Sequence, residues 1–430
     1  LVGTRTYLAQ FPHSEVWFGD SHLFFASTPS RAGPSATSVE TGGGQKPAGP
    51  ANAGTANMSE EIDKHVLRRY DIQQKLGKGA YGVVWKAEDR KNKGEIVALK
   101  KIFDAFQNST DAQRTFREIL FLRQFQEHEN IVQLQNVLKA DNDRDIYLVF
   151  EYMETDLHAT IRANILEEIH KQYIIYQSFK ALMYMHSAKL VHRDMKPANL
   201  LLNSECLMKV ADFGLARSLI DGIGDDGSAK PPEMTDYVAT RWYRAPEILA
   251  GSREYGCPVD MWSLGCIFGE MLGGKPVFAG SSTLNQFEKI VEVLGMPKDE
   301  AVEDLKSVFI KTMLESLTNS NDAVKTSEGH KLAWKTMYPT ASEDAIDLLT
   351  CLIQFSPSER MTARDGLTHP YCSQFHDEET EIVASEVVNV KVDGDGGGGD
   401  VHVWDNTKHS TAFYRDSLYR MINKNSKSKK

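Results

Sequence analysis

Four short motifs follow one another along the chain, and their order limits the fold and the chemistry more than any other feature of the sequence. In chain order they are Gly77-Lys78-Gly79-Ala80-Tyr81-Gly82-Val83-Val84, Val97-Ala98-Leu99-Lys100, His192-Arg193-Asp194-Met195-Lys196-Pro197-Ala198-Asn199 and Asp212-Phe213-Gly214. A single one of these motifs occurs by chance in many unrelated proteins. All four in this order are not a coincidence, so we interpret them as parts of one site.

The glycine-rich motif predicts a site for a polyphosphate. Glycines let backbone N–H groups approach phosphates that a Cβ atom would keep away. In dinucleotide-binding folds a similar motif joins a strand to a helix, whereas residues 83–87 continue here as a strand. We therefore expect the glycines to lie in a β-hairpin. Taken alone, the motif also allows a plain glycine-rich turn.

Two adjacent lysines end the second motif and receive different interpretations. Lys100 ends an apolar strand, where a lysine is unfavourable unless an anionic group meets it. Glu118, on the predicted helix that follows, is a suitable partner. Lys101 points to the opposite face of the strand, and we interpret it as a solvated lysine.

The last two motifs carry the groups that phosphoryl transfer requires. Asn199 and Asp212 offer hard oxygen ligands for Mg²⁺. Asp194 offers a carboxylate for the incoming hydroxyl group. Lys196 adds a positive charge at the transferred phosphate.

Composition divides the chain into three parts. Residues 1–57 include a stretch rich in Ser, Thr, Gly, Pro and Ala, and we expect them to be disordered. They are either a genuine N-terminal extension or an incorrectly predicted gene start. Residues 376–430 hold an acidic, glycine-rich linker, then a short amphipathic helix signal over 413–422 and a basic tail.

Between these ends, a small β-rich part precedes a large α-rich part. Residues 70–102 predict three short strands, 111–126 a helix and 145–151 a buried strand. Beyond residue 156 helices dominate, and Ile175, Phe179, Leu182 and Met183 form one apolar stripe at helical spacing. This distribution predicts two lobes with a cleft between them.

The four motifs are the signature set of eukaryotic protein kinases, and residues 70–375 resemble that family. The resemblance implies the bilobal protein-kinase fold, of the α+β class. Its small β-rich N-lobe is expected at about 70–150 and its larger α-helical C-lobe at about 154–375, with the ATP site in the cleft. It implies ATP and Mg²⁺ as cofactors. It assigns catalysis to Asp194, Lys196, Lys100 and Glu118, and it assigns metal binding to Asn199 and Asp212.

The same resemblance assigns further residues to the nucleotide. Phe150 falls at the gatekeeper position, Glu151 to Met153 at the hinge that receives adenine, and Asp156 where a carboxylate meets the ribose. The full set is Leu76, Gly77, Lys78, Gly79, Ala80, Tyr81, Gly82, Val83, Val84, Ala98, Lys100, Phe150, Glu151, Met153 and Asp156.

Three structural residues also have counterparts in the family. Glu247, in Ala245-Pro246-Glu247, closes the activation segment. Asp260 resembles the buried aspartate that braces the catalytic loop, and Arg360 the arginine that pairs with Glu247.

Within the kinases, the lip Thr235-Asp236-Tyr237 resembles the dual-phosphorylation lip of the mitogen-activated protein kinases. Residues 238–247 follow it as in that group. The resemblance is closest to the atypical extracellular signal-regulated kinase 7/8 branch, that of mitogen-activated protein kinase 15, although the branch usually has Glu where Asp236 stands. A cyclin-dependent-like kinase and a catalytically silent kinase-fold scaffold are the alternatives.

The resemblance implies a serine/threonine kinase that acts in intracellular signal transduction and is activated by phosphorylation of Thr235 and Tyr237, by autophosphorylation. It also implies a regulatory set and a substrate preference. Arg117, Arg193 and Arg217 would converge on phospho-Thr235. Arg241 and Arg244 would favour proline after the phosphorylated serine or threonine; alternatively both arginines are only structural.

The expected partners are therefore protein substrates with Ser/Thr-Pro sites, for a monomeric kinase in cytoplasm and nucleus. The formal charge of −10, with nine carboxylates against one lysine in residues 376–405, argues against nucleic acid as a partner. No apolar run approaches the ~18 residues that a membrane span needs, no secretion signal is evident, and five cysteines without zinc spacing suggest a reducing compartment. The acidic region near Asp377 predicts docking of basic peptide motifs, or else a solvated acidic stretch. The usual acidic partner of Asp377 is replaced by Thr380, and Glu378, Glu379 and Glu381 are candidate substitutes.

Overall fold

The computed structural model divides the chain into two compact units. Among the described residues, the smaller unit contains those of 60–105 and 135–152, and the larger unit contains those of 106–134 and 153–428. The structure describes the following residues: 60–79, 82–220, 234, 240–317, 327–388, 391–393, 400–403 and 407–428. The predictions for 1–57, Ala80, Tyr81, the lip residues Thr235 and Tyr237, and most of the glycine-rich linker lie outside the described residues.

The smaller unit is a five-stranded antiparallel sheet preceded by a short helix. The strands lie side by side in the order β1-β2-β3-β5-β4. The elements are α1 (Lys64–Leu67), β1 (Tyr70–Gly79), β2 (Gly82–Asp89), β3 (Glu95–Ile102), β4 (Leu134–Lys139) and β5 (Ile146–Glu151). The three strands predicted over 70–102 and the buried strand predicted over 145–151 are therefore confirmed.

The pairing register places four of the predicted nucleotide residues on one face of this sheet. Lys100 pairs with Val84 of β2 and with Leu148 of β5, and Ala98 pairs with Phe150. Because residues two apart on a strand share a face, Val84, Ala98, Lys100 and Phe150 point to the same side.

The opposite face of the sheet is covered by the segment that precedes β1. Val66 of α1 is 1% exposed and packs in a cluster with Tyr70 and residues of β2, β3 and β5. The interpretation of Lys101 as a solvated lysine is therefore wrong. Its side chain is buried, its Nζ donates to the Glu61 carbonyl at 2.7 Å, and it lies 3.4 Å from the Asp145 carboxylate.

The larger unit is mainly helical. In chain order its helices are α2 (Ser109–Gln124), α3 (Leu157–Ala163), α4 (Glu168–Ser187), α5 (Pro246–Leu249), α6 (Pro258–Gly273), α7 (Thr283–Leu294), α8 (Asp299–Asp304), α9 (Ile310–Leu317), α10 (Ser327–Met337), α11 (Glu343–Leu352), α12 (Ala363–Leu367) and α13 (Thr411–Ser428). Among the described residues, no helix is both long and apolar enough to cross a membrane.

Five short strands lie between residues 155 and 218, the first of them directly before α3. They are β6 (Thr155–Asp156), β7 (Leu190–Val191), β8 (Leu200–Leu202), β9 (Met208–Val210) and β10 (Arg217–Ser218). β6, β8 and β9 form one small sheet, and β7 pairs with β10 in another. A further pair, β11 (Lys391–Asp393) and β12 (Asp400–His402), precedes α13.

Local sequence explains where α2 begins and which face of α4 is buried. Asn108 caps α2, because its side chain accepts hydrogen bonds from the backbone N–H groups of Thr110 and Asp111, so the helix starts before the predicted residue 111. On α4 the predicted apolar stripe is buried, with both Ile175 and Phe179 at 0% exposure.

The C-terminal helix α13 packs against α2, the helix that carries Glu118. The Tyr414 ring lies 5.2 Å from the Phe116 ring, and the Tyr419 ring lies 6.0 Å from that of Phe106. Tyr414 is fully buried by this contact. The amphipathic signal over 413–422 is therefore a helix with a packing partner.

A buried ion pair joins the region after α11 to the helix α5. The guanidinium of Arg360 binds both carboxylate oxygens of Glu247, at 2.6 and 2.7 Å, and the two side chains are 0% and 2% exposed. Its remaining N–H groups donate to the carbonyls of Gln354, Phe355 and Pro258. Every donor of the arginine therefore has an acceptor, which is the condition for a buried charge to be tolerated.

Replacing Arg360 by methionine should destabilise the protein strongly. The substitution leaves the Glu247 carboxylate buried without its partner, for which we expect a loss of about 3–5 kcal/mol in the free energy of unfolding. The double variant Arg360→Met/Glu247→Met should lose less. Urea denaturation followed by circular dichroism measures both.

The matched control is Arg90→Met. Arg90 pairs with Asp71 on the surface, where the two side chains are 55% and 56% exposed, so its loss should change the free energy of unfolding by about 0–1 kcal/mol. Equal effects of the two single substitutions would contradict a stabilising role for burial of the Arg360–Glu247 pair.

Candidate active site

One buried carboxylate binds the backbone of the loop between β7 and β8. Asp260, on α6, is fully buried and accepts hydrogen bonds from the backbone N–H groups of His192 and Arg193, both at 2.9 Å. The ring of His186 lies 3.0 Å from the same carboxylate. Burial alone would raise the pKa of Asp260, but the hydrogen bond and charge of His186 and the backbone donors outweigh it, and its pKa lies below the usual value. Asp260 therefore stays ionised and fixes the loop.

These bonds hold the loop in a conformation that its residues rarely adopt unaided. Arg193 has a φ of +68°, in the left-handed region. Its side chain donates to the Leu215 carbonyl at 2.7 Å and to the Tyr255 hydroxyl at 2.9 Å. The loop is thus tied to the segment that follows Asp212.

The predicted catalytic carboxylate lies in the same loop with its predicted neighbours. Asp194 is 5% exposed, and its Oδ2 accepts hydrogen bonds from Lys196 Nζ at 2.6 Å and Asn199 Nδ2 at 3.3 Å. Asn199 Nδ2 also donates to the Asp194 carbonyl at 2.8 Å. The structure therefore brings Asp194, Lys196 and Asn199 together, as the sequence predicted.

A fourth contact of Asp194 was not predicted. Its Oδ1 accepts the backbone N–H of Thr240 at 3.0 Å, and the Thr240 hydroxyl lies 3.4 Å from the same oxygen. Thr240 opens the segment of Arg241 and Arg244, so the only available signal was its place in that motif. The contact links the predicted catalytic carboxylate to the region predicted to bind substrate.

The side chains of Asp212 and Glu118 both lie close to Gly214. A Cβ atom added to Gly214 would lie 3.3 Å from Asp212 Oδ1 and 3.9 Å from Glu118 Oε2. Asp212 has a φ of +64°, whereas Phe213 is buried with its ring 5.1 Å from that of His192. The carboxylates of Asp212 and Glu118 therefore both lie within 4 Å of the position that a Cβ atom on Gly214 would occupy.

The donor set near Asp194 and Asp212 suits a hard divalent cation. The Asn199 amide nitrogen is occupied by Asp194, and within the described part of the chain no donor reaches its amide oxygen. A carboxylate and an amide oxygen are the ligand types that Mg²⁺ takes from proteins. Asn199 and Asp212 thus fit the metal assigned to them.

The predicted regulatory arginines lie in the larger unit. Arg193 and Arg217 are 5% and 4% exposed, and Arg117 on α2 is half-buried. β10, which contains Arg217, pairs with β7 next to the catalytic loop. Thr235 and Tyr237 lie outside the described residues, so the binding of phospho-Thr235 by these arginines stays a prediction.

The segment after Thr240 is fixed by side-chain bonds to neighbouring elements. Arg241 donates to the Ser281 carbonyl at 2.9 Å, and the Tyr243 hydroxyl donates to Glu270 of α6 at 2.7 Å. Burial raises the pKa of Glu270 and of Tyr243 above their usual values. Arg241 therefore has a structural contact, and Arg244 is buried at 7% exposure.

The glycine-rich motif forms the predicted hairpin between β1 and β2. Gly77, Lys78 and Gly79 pair with Val84, Val83 and Gly82. At Gly82 the need for glycine comes from β3, since a Cβ there would lie 2.2 Å from the Lys101 carbonyl oxygen. Close approach of two strands, and not of a phosphate alone, therefore requires this glycine.

Lys78 of the motif already has an anionic neighbour. Its Nζ lies 2.5 Å from Glu60, whose other carboxylate oxygen binds Lys75 at 2.8 Å. The hydrogen bonds of Lys75 and Lys78 lower the pKa of Glu60 to about 2. Sequence reasoning did not foresee this pairing, because Glu60 precedes the predicted domain.

The remaining predicted nucleotide residues are placed as follows. Leu76, Val83, Val84, Ala98 and Phe150 are buried in the smaller unit, which also contains Lys100 and Glu151, and Met153 is buried in the larger unit. The pairing of Lys100 with Glu118 stays a prediction.

Asp156 has a structural role that the sequence did not predict. Its carboxylate accepts the backbone N–H of Ala159 at 2.8 Å and caps α3. Burial raises the pKa of Asp156 to about 6. Its assignment to the ribose is a separate prediction.

In the acidic region, one of the proposed docking carboxylates faces inward. Glu381 is 7% exposed at its side chain and accepts hydrogen bonds from the Tyr176 hydroxyl at 3.0 Å and the Asp377 backbone at 3.0 Å. Its carboxylate also lies 2.8 Å from His376. Glu381 is therefore not a surface acid, whereas Glu378 and Glu379 are exposed.

The chain is similar to known proteins over most of its length. The family model described as protein kinase domain matches residues 70–372. The chain is 58% identical over 371 residues to extracellular signal-regulated kinase 2 of Dictyostelium discoideum, covering 86% of this chain and 94% of that protein.

Two further relatives carry the name mitogen-activated protein kinase 15. The protein from Xenopus laevis is 50% identical over 364 residues, covering 84% of this chain but only 58% of its own length. The protein from Caenorhabditis elegans is 44% identical over 366 residues, covering 85% of this chain and 73% of its own length.

Proposed function

This chain belongs to the protein kinase family, as a mitogen-activated protein kinase related to the kinase 15 branch, and we propose that it phosphorylates serine or threonine followed by proline after phosphorylation of its own lip. The family establishes a serine/threonine protein kinase with ATP as the phosphate donor. The substrate preference, the lip phosphorylation and the metal are the parts proposed here.

The arrangement around Asp194 carries the proposal. Oδ2 receives Lys196 and Asn199, and Oδ1 receives Thr240. In the reaction, the substrate hydroxyl attacks the γ-phosphorus of ATP, an oxygen–phosphorus bond forms, and the bond to the β-phosphate breaks to release ADP. Asp194 orients the hydroxyl and takes its proton.

Three cationic components complete the chemistry. The Lys196 ammonium lies against the catalytic carboxylate and offers a positive charge to the transferred phosphate. Asn199 and Asp212 would hold Mg²⁺, which neutralises charge on the phosphates when bound. Lys100, with Glu118 as its partner, would bind the α- and β-phosphates.

Replacing Asp194 by asparagine should lower kcat by about 10²–10⁴. Asparagine keeps the size of the side chain but cannot accept the proton, so binding of a fluorescent ATP analogue should persist. Phosphate transfer to a Ser-Pro peptide measures kcat, and Asp71→Asn, an exposed aspartate, is the control that should leave it unchanged. If Asp194→Asn keeps more than half of the wild-type kcat, the assigned role is wrong. Equal, background-level phosphate transfer by wild type and Asp194→Asn would indicate a catalytically silent scaffold.

Lip phosphorylation should activate the enzyme and should come from the enzyme itself. A phosphate on Thr235 carries about −1.5 to −2 charges and attracts clustered arginines, here Arg117, Arg193 and Arg217. Their binding would couple α2 and the catalytic loop to the lip. Wild type purified from bacteria should therefore carry phosphate on Thr235 and Tyr237, and Asp212→Ala should lack it, by mass spectrometry of the lip peptide.

Two results would contradict this part of the proposal. Wild type with an unmodified lip would exclude autophosphorylation under these conditions. A phosphatase-treated enzyme as fast as the doubly phosphorylated one would remove the activating role.

Peptides with proline after the phosphorylated residue should react about tenfold to a hundredfold better than those with alanine. We expect an alanine N–H to be buried without an acceptor beside Arg244, a penalty of ~1–3 kcal/mol, and ~1.4 kcal/mol is one decade. The measurement is kcat/KM on peptides that differ only at this position.

A third peptide distinguishes the missing N–H of proline from the shape of its ring as the cause of the preference. N-methylalanine lacks the N–H as proline does, so it should approach the rate of the proline peptide. A proline-to-alanine ratio near one would leave the kinase standing and would favour a purely structural role for Arg241 and Arg244.

A further inference from the structure

A histidine and two aspartates, none of them assigned to phosphoryl transfer, lie close together on the smaller unit. Asp63 and His65 lie at the start of α1, and Asp141 lies in the turn after β4. One side-chain atom of each lies within 4.8 Å of the other two. We propose that these residues form a binding site for a divalent transition-metal ion of the zinc type.

The two nitrogens of the His65 ring both face acceptors. Nε2 lies 2.9 Å from the Lys139 carbonyl oxygen, and Nδ1 lies 3.2 Å from Asp141 Oδ1. A neutral imidazole has a single N–H, and the carbonyl requires it at Nε2. The lone pair of Nδ1 then faces a carboxylate, an arrangement that a cation between the two resolves.

This orientation is the one that metal-bound histidines adopt. Such a histidine donates its other ring N–H to a carbonyl or carboxylate, which fixes the tautomer and the ring plane. Here the Lys139 carbonyl fills that place. Two ligands about 2.0–2.1 Å from a tetrahedral zinc lie roughly 3.3 Å apart, close to the 3.2 Å between Nδ1 and Asp141 Oδ1.

The second carboxylate is positioned in advance. Asp63 Oδ2 accepts the backbone N–H of Asp141 at 2.9 Å, and the Asp63 backbone N–H donates to the Tyr147 hydroxyl at 3.2 Å. These bonds hold the segment of Asp63 against the turn of Asp141. His65 and Asp141 are 40% and 72% exposed at their side chains, so solvent reaches the site and supplies the remaining ligand.

The ligand set selects among metals. One imidazole with two carboxylates suits zinc and its first-row neighbours, whereas Mg²⁺ and Ca²⁺ prefer oxygen ligands throughout. Zinc is therefore the ion to which the proposal commits.

A second group with metal-ligand side chains differs in one decisive respect. Asp347, Cys351 and His369 also approach within 4.8 Å. There, His369 Nδ1 accepts the backbone N–H of Tyr371 at 3.2 Å, and Nε2 faces Asp347, which also binds Lys331 at 2.7 Å. A neutral ring satisfies both contacts, so this group has no need of a cation.

Metal binding would join the segment before β1 to the sheet. The same segment meets Lys101 through the Glu61 carbonyl and binds Lys75 and Lys78 through Glu60. A metal bound by Asp63, His65 and Asp141 would also link this segment to the turn that precedes β5. Zinc should therefore slow amide hydrogen exchange over residues 60–67.

The test uses full-length protein treated with a chelator and carrying Asp212→Asn, which removes a ligand of the proposed magnesium site. Co²⁺ is the spectroscopic probe, since tetrahedral coordination gives visible absorption, and Zn²⁺ competes for the site. His65→Gln and Asp141→Asn should each weaken binding of one equivalent by about tenfold to a hundredfold and abolish the change in exchange over 60–67. His376→Gln is the matched control, because His376 also contacts a carboxylate, that of Glu381, and it should bind as the parent does.

Three outcomes would overturn the proposal. One is unchanged binding in both His65→Gln and Asp141→Asn. Another is Co²⁺ binding that shows a thiolate charge-transfer band and is lost in Cys351→Ser, which would place the metal at Asp347, Cys351 and His369. The last is no bound equivalent at all, with His65 doubly protonated by nitrogen NMR, in which case a proton and not a metal bridges to Asp141.

Discussion

The buried carboxylate of Asp260 is the contact on which the rest of the site depends. It binds the backbone N–H groups of His192 and Arg193, so it acts on the chain itself and not only on side chains. Arg193 is thereby kept in a left-handed conformation, and the next residue, Asp194, is directed at Lys196, Asn199 and Thr240. This fully buried charge is tolerable because its oxygens accept hydrogen bonds from two backbone N–H groups and face the ring of His186.

The same condition governs the other buried charges. Arg360 donates all its N–H groups to Glu247 and three carbonyls, and Lys101 donates to a carbonyl beside Asp145. Each pair joins segments that are far apart in the chain, and leaving either partner alone would be strongly destabilising. The contact of Tyr414 with Phe116 adds an apolar counterpart, in which a helix from the end of the chain packs on the helix of Glu118.

Much of the fold was predictable because its signals are local. Alternating apolar residues and glycines marked the strands of the smaller unit, and the stripe through Ile175 and Phe179 marked α4. The cluster of Asp194, Lys196 and Asn199 was also predictable, since these residues are neighbours in one loop. The prediction for Lys101 is wrong because the Glu61 carbonyl that it binds is distant in sequence. The contact of Glu381 with Tyr176 is likewise distant in sequence, and no local pattern indicates it.

The family, the strands over 70–102 and 145–151, and the chemical types at the site can be inferred from the sequence alone, because contiguous motifs indicate each of them. Tertiary structure alone decided which groups are buried and which distant partners they meet. Thr240 reaches Asp194, and Asp141 reaches His65, only after separate segments pack together. Burial and pairing depend on that packing, since the free energy of a charge is set by the atoms around it and not by its neighbours in sequence.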